Sequence, residues 1–192
     1  MVVLVLGLVL FLGAHSVRIF AEGWRVRVIS RMGLQPWKGI YSLASIVGFV
    51  LIIWGFGLAR SHPTILWAPP TSMRHLAALL TLIAFILVAA AYVPGNSIKS
   101  RLHHPMVLGI KVWAVAHLLA NGTLADTVLF GAFLVWAVFD FSAARRRDRA
   151  AGTLYAPGRW VPTAIAMVVG GVAWALFAFW LHALLIGVRP FA

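Results

Sequence analysis

Residues 104–122 read HPMVLGIKVWAVAHLLANG, and how this stretch folds decides the architecture of the chain. Pro105 suits the first turn of a helix, where its missing N–H costs nothing, and Asn121-Gly122 supplies a stop. Between them the sequence is helix-compatible and nearly all apolar, apart from Lys111 and His117. Ionisable side chains inside an apolar span are costly and read as functional by default. A helix rises about 1.5 Å per residue, so His104 and His117 stand roughly 20 Å apart along the axis and about 140° apart around it. A straight helix cannot bring both onto one metal, so any ligand pair recruits a histidine from another element.

The composition extends the same reading to the whole chain. Of 192 residues, 62% are hydrophobic and 10% charged, and the mean hydropathy is +0.97. Ordinary soluble domains are far more polar, so the expected fold class is all-α: a polytopic transmembrane helical bundle of about six spans, forming one domain over residues 1–192. The net charge of +12 is spread between apolar runs rather than gathered on one face. That pattern argues for no nucleic acid and for membrane lipid as the partner of the basic residues. The absence of cysteine excludes disulfides, thiolate haem ligation, thiol nucleophiles and thiolate zinc. With only Glu22, Asp126, Asp140 and Asp148 as carboxylates, a metal would rest chiefly on histidine.

In chain order, Met1 to about Phe20 lacks a basic segment ahead of its apolar run and reads as a retained first span. Residues 21–38 carry Arg25, Arg27, Arg31 and Lys38 with Trp24 and Trp37, an interfacial connection. Residues 39–59 are long enough to cross about 30 Å of hydrocarbon. A proline-rich loop follows over 61–74, a third span over 75–93, and a turn at Pro94-Gly95-Asn96. After the 105–120 helix, a fifth span is expected over 123–141, a solvated lipid-binding loop at Arg145 to Arg149, and a sixth span over 161–187. Gly170-Gly171 would allow a neighbouring helix to approach closely. Eleven Lys and Arg fall on one set of loops, and three, Arg60, Arg74 and Arg189, on the other. The positive-inside rule then puts both termini outside the cytoplasm.

Several segments are specific enough to identify a family: GAHSVR around His15 to Arg18, KGIYSLASIVG at 38–48, MRHLAALL around His75, AYVPGN at 91–96, and above all the 104–122 stretch. Together they resemble the NnrU family of bacterial membrane proteins over essentially the whole chain. That resemblance implies the bacterial inner membrane and an association with nitrite and nitric oxide metabolism, the chemistry of denitrification. The same superfamily includes a 15-cis-zeta-carotene isomerase, which implies haem b held by histidines. On this resemblance His15 and His117 inherit the iron-ligand role, and Arg18, three positions from His15, is a candidate partner for a haem propionate.

The residues themselves leave alternatives. His15 could hydrogen-bond a neighbouring helix, and Arg18 could snorkel to headgroups. His104 stands at a helix entrance, where capping and solvation suffice. His182 is an alternative ligand or a packing residue. Lys111 shares a face with His104, and is a proton or anion handle, a side chain snorkelling toward the cytoplasmic boundary, or a partner for Asp140. His62, His75 and Asp126 read as interfacial. By depth in the bilayer alone, His15 would pair with His104, or His117 with His182, whereas the resemblance pairs His15 with His117. The functions in view are a haem b protein acting on an apolar substrate or nitric oxide, as a redox or isomerase-like enzyme; a non-catalytic haem carrier or assembly factor serving a redox partner or reductase complex; and a small transporter.

Overall fold

A computed structural model describes residues 1–191, all helix and loop among the described residues. The helices are α1 (Val2–Phe20), α2 (Glu22–Met32), α3 (Leu34–Ser61), α4 (Thr71–Tyr92), α5 (Ser97–Leu102), α6 (Pro105–Ala120), α7 (Leu124–Ala151), α8 (Trp160–Leu176) and α9 (His182–Ile186). A five-residue π turn, Phe177–Leu181, joins α8 to α9. Five helical stretches are long and apolar enough to cross a membrane: α1, α3, α4, α7, and α8 through α9. The protein is thus a multi-pass membrane protein. The fourth expected span, α6, starts and stops where Pro105 and Asn121-Gly122 predicted, but its 16 residues reach only about 24 Å, short of about 30 Å of hydrocarbon.

Two expected connections are helical. Residues 22–38 form α2 and the start of α3, with Gly33, at φ 88°, separating the two. The arginine run at 145–149, expected as a loop, continues α7 to Ala151. Arginine and alanine are strong helix formers, so the helix outlasts its apolar part and stops at Gly152, φ 60°. Asp126, read as interfacial, is only 9% exposed. It caps α7: Thr123 Oγ1 donates to its carboxylate at 2.6 Å and accepts from its backbone N–H at 3.2 Å.

The chain divides into two compact units. The first holds residues 1–67 and 122–143. Here α1 and α3 lie against each other through glycines: a Cβ on Gly7 would stand 2.6 Å from the Ile52 nitrogen, and one on Gly48 2.7 Å from that of Phe11. Such small residues substitute dispersion for the hydrophobic drive that lipid removes. The first part of α7 joins them through ring contacts, Phe11 with Phe133 at 5.9 Å and Phe20 with Phe139 at 5.7 Å.

The second unit holds residues 68–121 and 144–192. Helix α4 packs against α6 at Gly109, facing the Ala84 carbonyl, and against α8 at Gly170, facing Ile86. The turn after α4 fixes this arrangement. Asn96, 1% exposed, donates to the Ala90 carbonyl at 2.8 Å and accepts the Lys99 N–H at 2.8 Å as the N-cap of α5. The Ser97 N–H then donates to Thr163 Oγ1 at 2.8 Å, tying the turn to the start of α8.

Candidate functional site

In the first unit, His15 lies one turn after Phe11 on α1, and its Nδ1 stands 2.7 Å from the Phe11 carbonyl. A carbonyl only accepts, so Nδ1 carries the proton, and the lone pair of the neutral ring sits on Nε2. Three rings surround it: Phe11 at 4.3 Å, Tyr41 at 5.2 Å, and Trp136 edge-on at 6.1 Å. The Trp136 Nε1–H is buried and has no acceptor among the described residues. A buried donor left so costs about 1–3 kcal/mol. Arg18 stands in the last turn of the same helix.

In the second unit, His117 repeats the arrangement. Its Nδ1 donates to the Trp113 carbonyl at 2.9 Å, Trp113 packs on it at 5.1 Å between ring centres, and Asn121 Nδ2 caps its carbonyl at 2.9 Å. His182, the first residue after the π turn, donates from Nδ1 to the Val188 carbonyl at 2.7 Å and stands edge-on to Phe177. His117 and His182 line one cavity of about 250 Å³. Its walls are aromatic (Phe85, Trp113, Trp174, Phe177), and alanines of α4, α6 and the π turn leave the space open. Arg74 and Arg189 stand at it. π turns within α-helices concentrate at functional sites.

His104 is elsewhere. Rather than capping α6, its Nε2 donates to Asp148 Oδ2 at 2.8 Å. The Tyr155 hydroxyl donates to the same oxygen at 2.9 Å. His103 stacks on Tyr155, with ring centres 4.1 Å apart and planes 4° from parallel, and its Nδ1 accepts from Arg145 at 3.2 Å. His103 is the one non-glycine residue at positive φ (66°) among those described, a conformation that surrounding structure must hold. Burial pushes the Asp148 carboxyl up, but the Tyr155 hydroxyl and the two imidazoles outweigh it and hold it below the ordinary carboxylate value. Burial, then the Asp148 carboxylate, raises the Tyr155 phenol.

A family model described as NnrU protein matches residues 3–190. The chain belongs to the NnrU family. No curated protein and no solved structure matches it.

The haem implied for this NnrU-family chain can be tested against its donor set. Ligating histidines donate their other ring N–H to a carbonyl or carboxylate, which orients the ring and raises its basicity. His15, His117 and His182 all have this arrangement through Nδ1; His104 spends Nε2 on Asp148. The first two fit the ligand role implied by the family resemblance, with the lone pair on the nitrogen that haem iron takes. No group of three or more metal-binding side chains occurs among the described residues, whereas haem asks for two at most. The 250 Å³ cavity falls below the roughly 300–1,000 Å³ of small-molecule sites and is too small to enclose a macrocycle by itself.

Of the sequence candidates, His117 and His182 share a cavity, as depth alone suggested. Lys111 lies on α6 outside the cavity wall, and His62 and His75 are exposed. Sequence reading missed Arg74 and Arg189 as site residues. The signal was available: they are two of the three basic residues on the charge-poor loops. The His103, Arg145 and Tyr155 cluster left no signal, because it depends on the unforeseen extension of α7.

Proposed function

We infer that this NnrU-family protein binds haem b in the bacterial inner membrane, with both termini outside the cytoplasm, and serves nitrite or nitric oxide metabolism. His15 and His117 are the proposed iron ligands, and Arg18 the proposed partner of a propionate. The observation that carries this reading is the Nδ1–H to carbonyl bond at both histidines, 2.7 and 2.9 Å long, which fixes each tautomer with Nε2 as the donor atom. The unpaired Trp136 N–H beside His15 adds a donor for an oxygen of the bound group. When bound, haem would supply one-electron redox chemistry or a binding position for a small gas. The residues themselves hold and orient: Phe11, Tyr41 and Trp136 keep water from His15, and Trp113 with Asn121 fixes His117.

The test is an absorbance spectrum of the detergent-purified protein before and after dithionite. A Soret band is expected, lost in His15→Ala and His117→Ala and kept in His104→Ala. A normal spectrum in either of the first two variants refutes the ligand assignment. A Soret band that shifts when nitric oxide or carbon monoxide meets the reduced protein favours an enzyme or gas-binding role; one that does not shift favours a carrier or assembly factor.

A further inference from the structure

The cavity lined by His117 and His182 carries charge that no side chain among the described residues of its unit balances. Arg74, in the first turn of α4, and Arg189, in the tail after α9, both stand at it. Neither has a hydrogen-bond or ion-pair partner among the described residues. The unit holds one side-chain carboxylate, Asp148, already engaged by His104 and Tyr155. Guanidinium groups recognise carboxylate and phosphate through paired N–H donors, and two that share a cavity with no side-chain anion among its described lining are suited to an external one.

The rest of the wall is apolar. Phe85, Trp113, Trp174 and Phe177 supply ring surface, and Trp174 is held by donating from Nε1 to Thr81 Oγ1 at 3.0 Å. The bond from His182 to the Val188 carbonyl ties down the tail that carries Arg189. A cavity of 250 Å³ has room for roughly eight molecules of water at about 30 Å³ each. A mixed lining of this kind suits a ligand that is apolar over most of its length and charged at one end.

We propose that this cavity binds an amphiphilic anion, a carboxylate or phosphate head held by Arg74 and Arg189 on an apolar body of roughly eight to ten non-hydrogen atoms. The cavity shares His117 with the proposed iron ligation, and the experiment is chosen so that failure of one reading is distinguishable from failure of the other.

The experiment follows tryptophan fluorescence of the full chain in zwitterionic phosphatidylcholine nanodiscs, using bromine as quencher. Trp113 and Trp174 on the wall report binding of 8-bromooctanoate, with 8-bromooctanol as the uncharged control. Saturable quenching is expected for the carboxylate, and only linear, partition-like quenching for the alcohol. Arg74→Gln and Arg189→Gln should each weaken binding about tenfold, consistent with loss of a charge-assisted hydrogen bond. Ala78→Phe, which fills the cavity and spares both arginines, should abolish saturation. Octanoate should displace the probe, and inorganic phosphate should not.

Equal saturable binding of the alcohol, unchanged affinity in the double arginine variant, or displacement by phosphate alone would overturn the proposal. The Soret band of the same samples separates the two sites. Its absence from the parent protein refutes the haem reading and leaves the quenching result standing. Its loss in the double arginine variant would mean the arginines serve the haem, and would overturn the amphiphile site.

Discussion

The two units of this protein place a half-buried histidine on an apolar helix in the same local way and surround it differently. Around His15 the space is filled, with three rings close by and α1 and α3 near enough that Gly7, Gly48 and Gly55 face backbone atoms. Around His117 it is left open: α4 meets α6 at Gly109 and α8 at Gly170, and the alanines of α4, α6 and the π turn border a cavity that His117 and His182 both line. Since lipid offers no hydrophobic drive between helices, how closely the backbones approach sets how well each pair holds. A filled nest fixes one imidazole; an open one admits a second molecule beside it.

The largest expected effect tests that difference in closeness. In the first unit a new β-carbon meets backbone that cannot move aside, so Gly7→Val and Gly48→Val should each cost on the order of 3 kcal/mol. In the second, Gly170 is as close, a Cβ there falling 2.5 Å from Ile86 Cα, whereas on the helix that carries His117 a Cβ on Gly109 would stand 3.0 Å from the Ala84 carbonyl and 3.1 Å from Val88 Cγ2, and Gly109→Ala should cost about 1 kcal/mol. Gly13 and Gly131 face open space, so alanine there should be neutral or stabilise by about 0.5 kcal/mol through helix propensity. Denaturant titration in mild detergent measures all five. Equal losses at Gly7 and Gly109 would erase the contrast between the α1–α3 and α4–α6 contacts.

A smaller effect contrasts two tryptophans. Trp174 donates to Thr81 Oγ1 at 3.0 Å, whereas the Trp136 N–H has no acceptor among the described residues. Trp174→Phe should therefore cost about 1 kcal/mol. Trp136→Phe should be neutral or slightly stabilising in protein without haem, and should weaken haem retention when haem is present. A loss at Trp136 in the haem-free protein as large as that at Trp174 would show that its N–H already has a partner.

How much of this was legible beforehand divides along physical lines. Hydropathy and turn chemistry are local, so the apolar helices and the limits of 105–120 could be read from Pro105 and Asn121-Gly122. Helix propensity competes with charge at membrane boundaries, and there charge misled: the arginines at 145–149 looked like a loop but kept α7 helical. His117 and His182 were legible as a pair only by depth, since 64 intervening residues carry no pattern linking them. The π turn that precedes His182 left no mark in the sequence. Arg74 and Arg189 were visible as exceptions to the charge bias, but a loop count does not say that two such exceptions share a cavity.

Asp148 gives an effect in the second unit alone. Its folded carboxyl is held below the ordinary value, so the stability it contributes is fully present above about pH 3.9 and is lost as pH falls through the lowered folded value. Asp148→Asn keeps an acceptor for His104 and Tyr155 but removes the charge. It should cost about 0.5–1 kcal/mol at neutral pH and converge with the parent protein once the pH is below both values. A cost that persists undiminished in acid would mean that packing, and not charge, joins α7 to the residues before α6.

The smallest expected effect comes from Tyr155→Phe, which spares the ring stacked on His103 and removes only the hydroxyl that donates to Asp148. At neutral pH it should cost about 0.5 kcal/mol, at the low end for a partly exposed hydrogen bond. Its signature is the pH profile at both ends. Without the hydroxyl the Asp148 carboxyl rises toward its ordinary value, so the acid loss begins at higher pH and is smaller in total. The phenol of the parent protein is raised by burial and by Asp148. The folded state therefore favours its protonated form, and that contribution, intact below about pH 10, is lost as pH rises through the raised value. The variant has no phenol to titrate, so the alkaline decline should flatten while the acid limb moves upward. A variant that flattens the alkaline limb and leaves the acid limb in place would show that Tyr155 stacks on His103 without steadying Asp148, and that His104 holds the end of α7 alone.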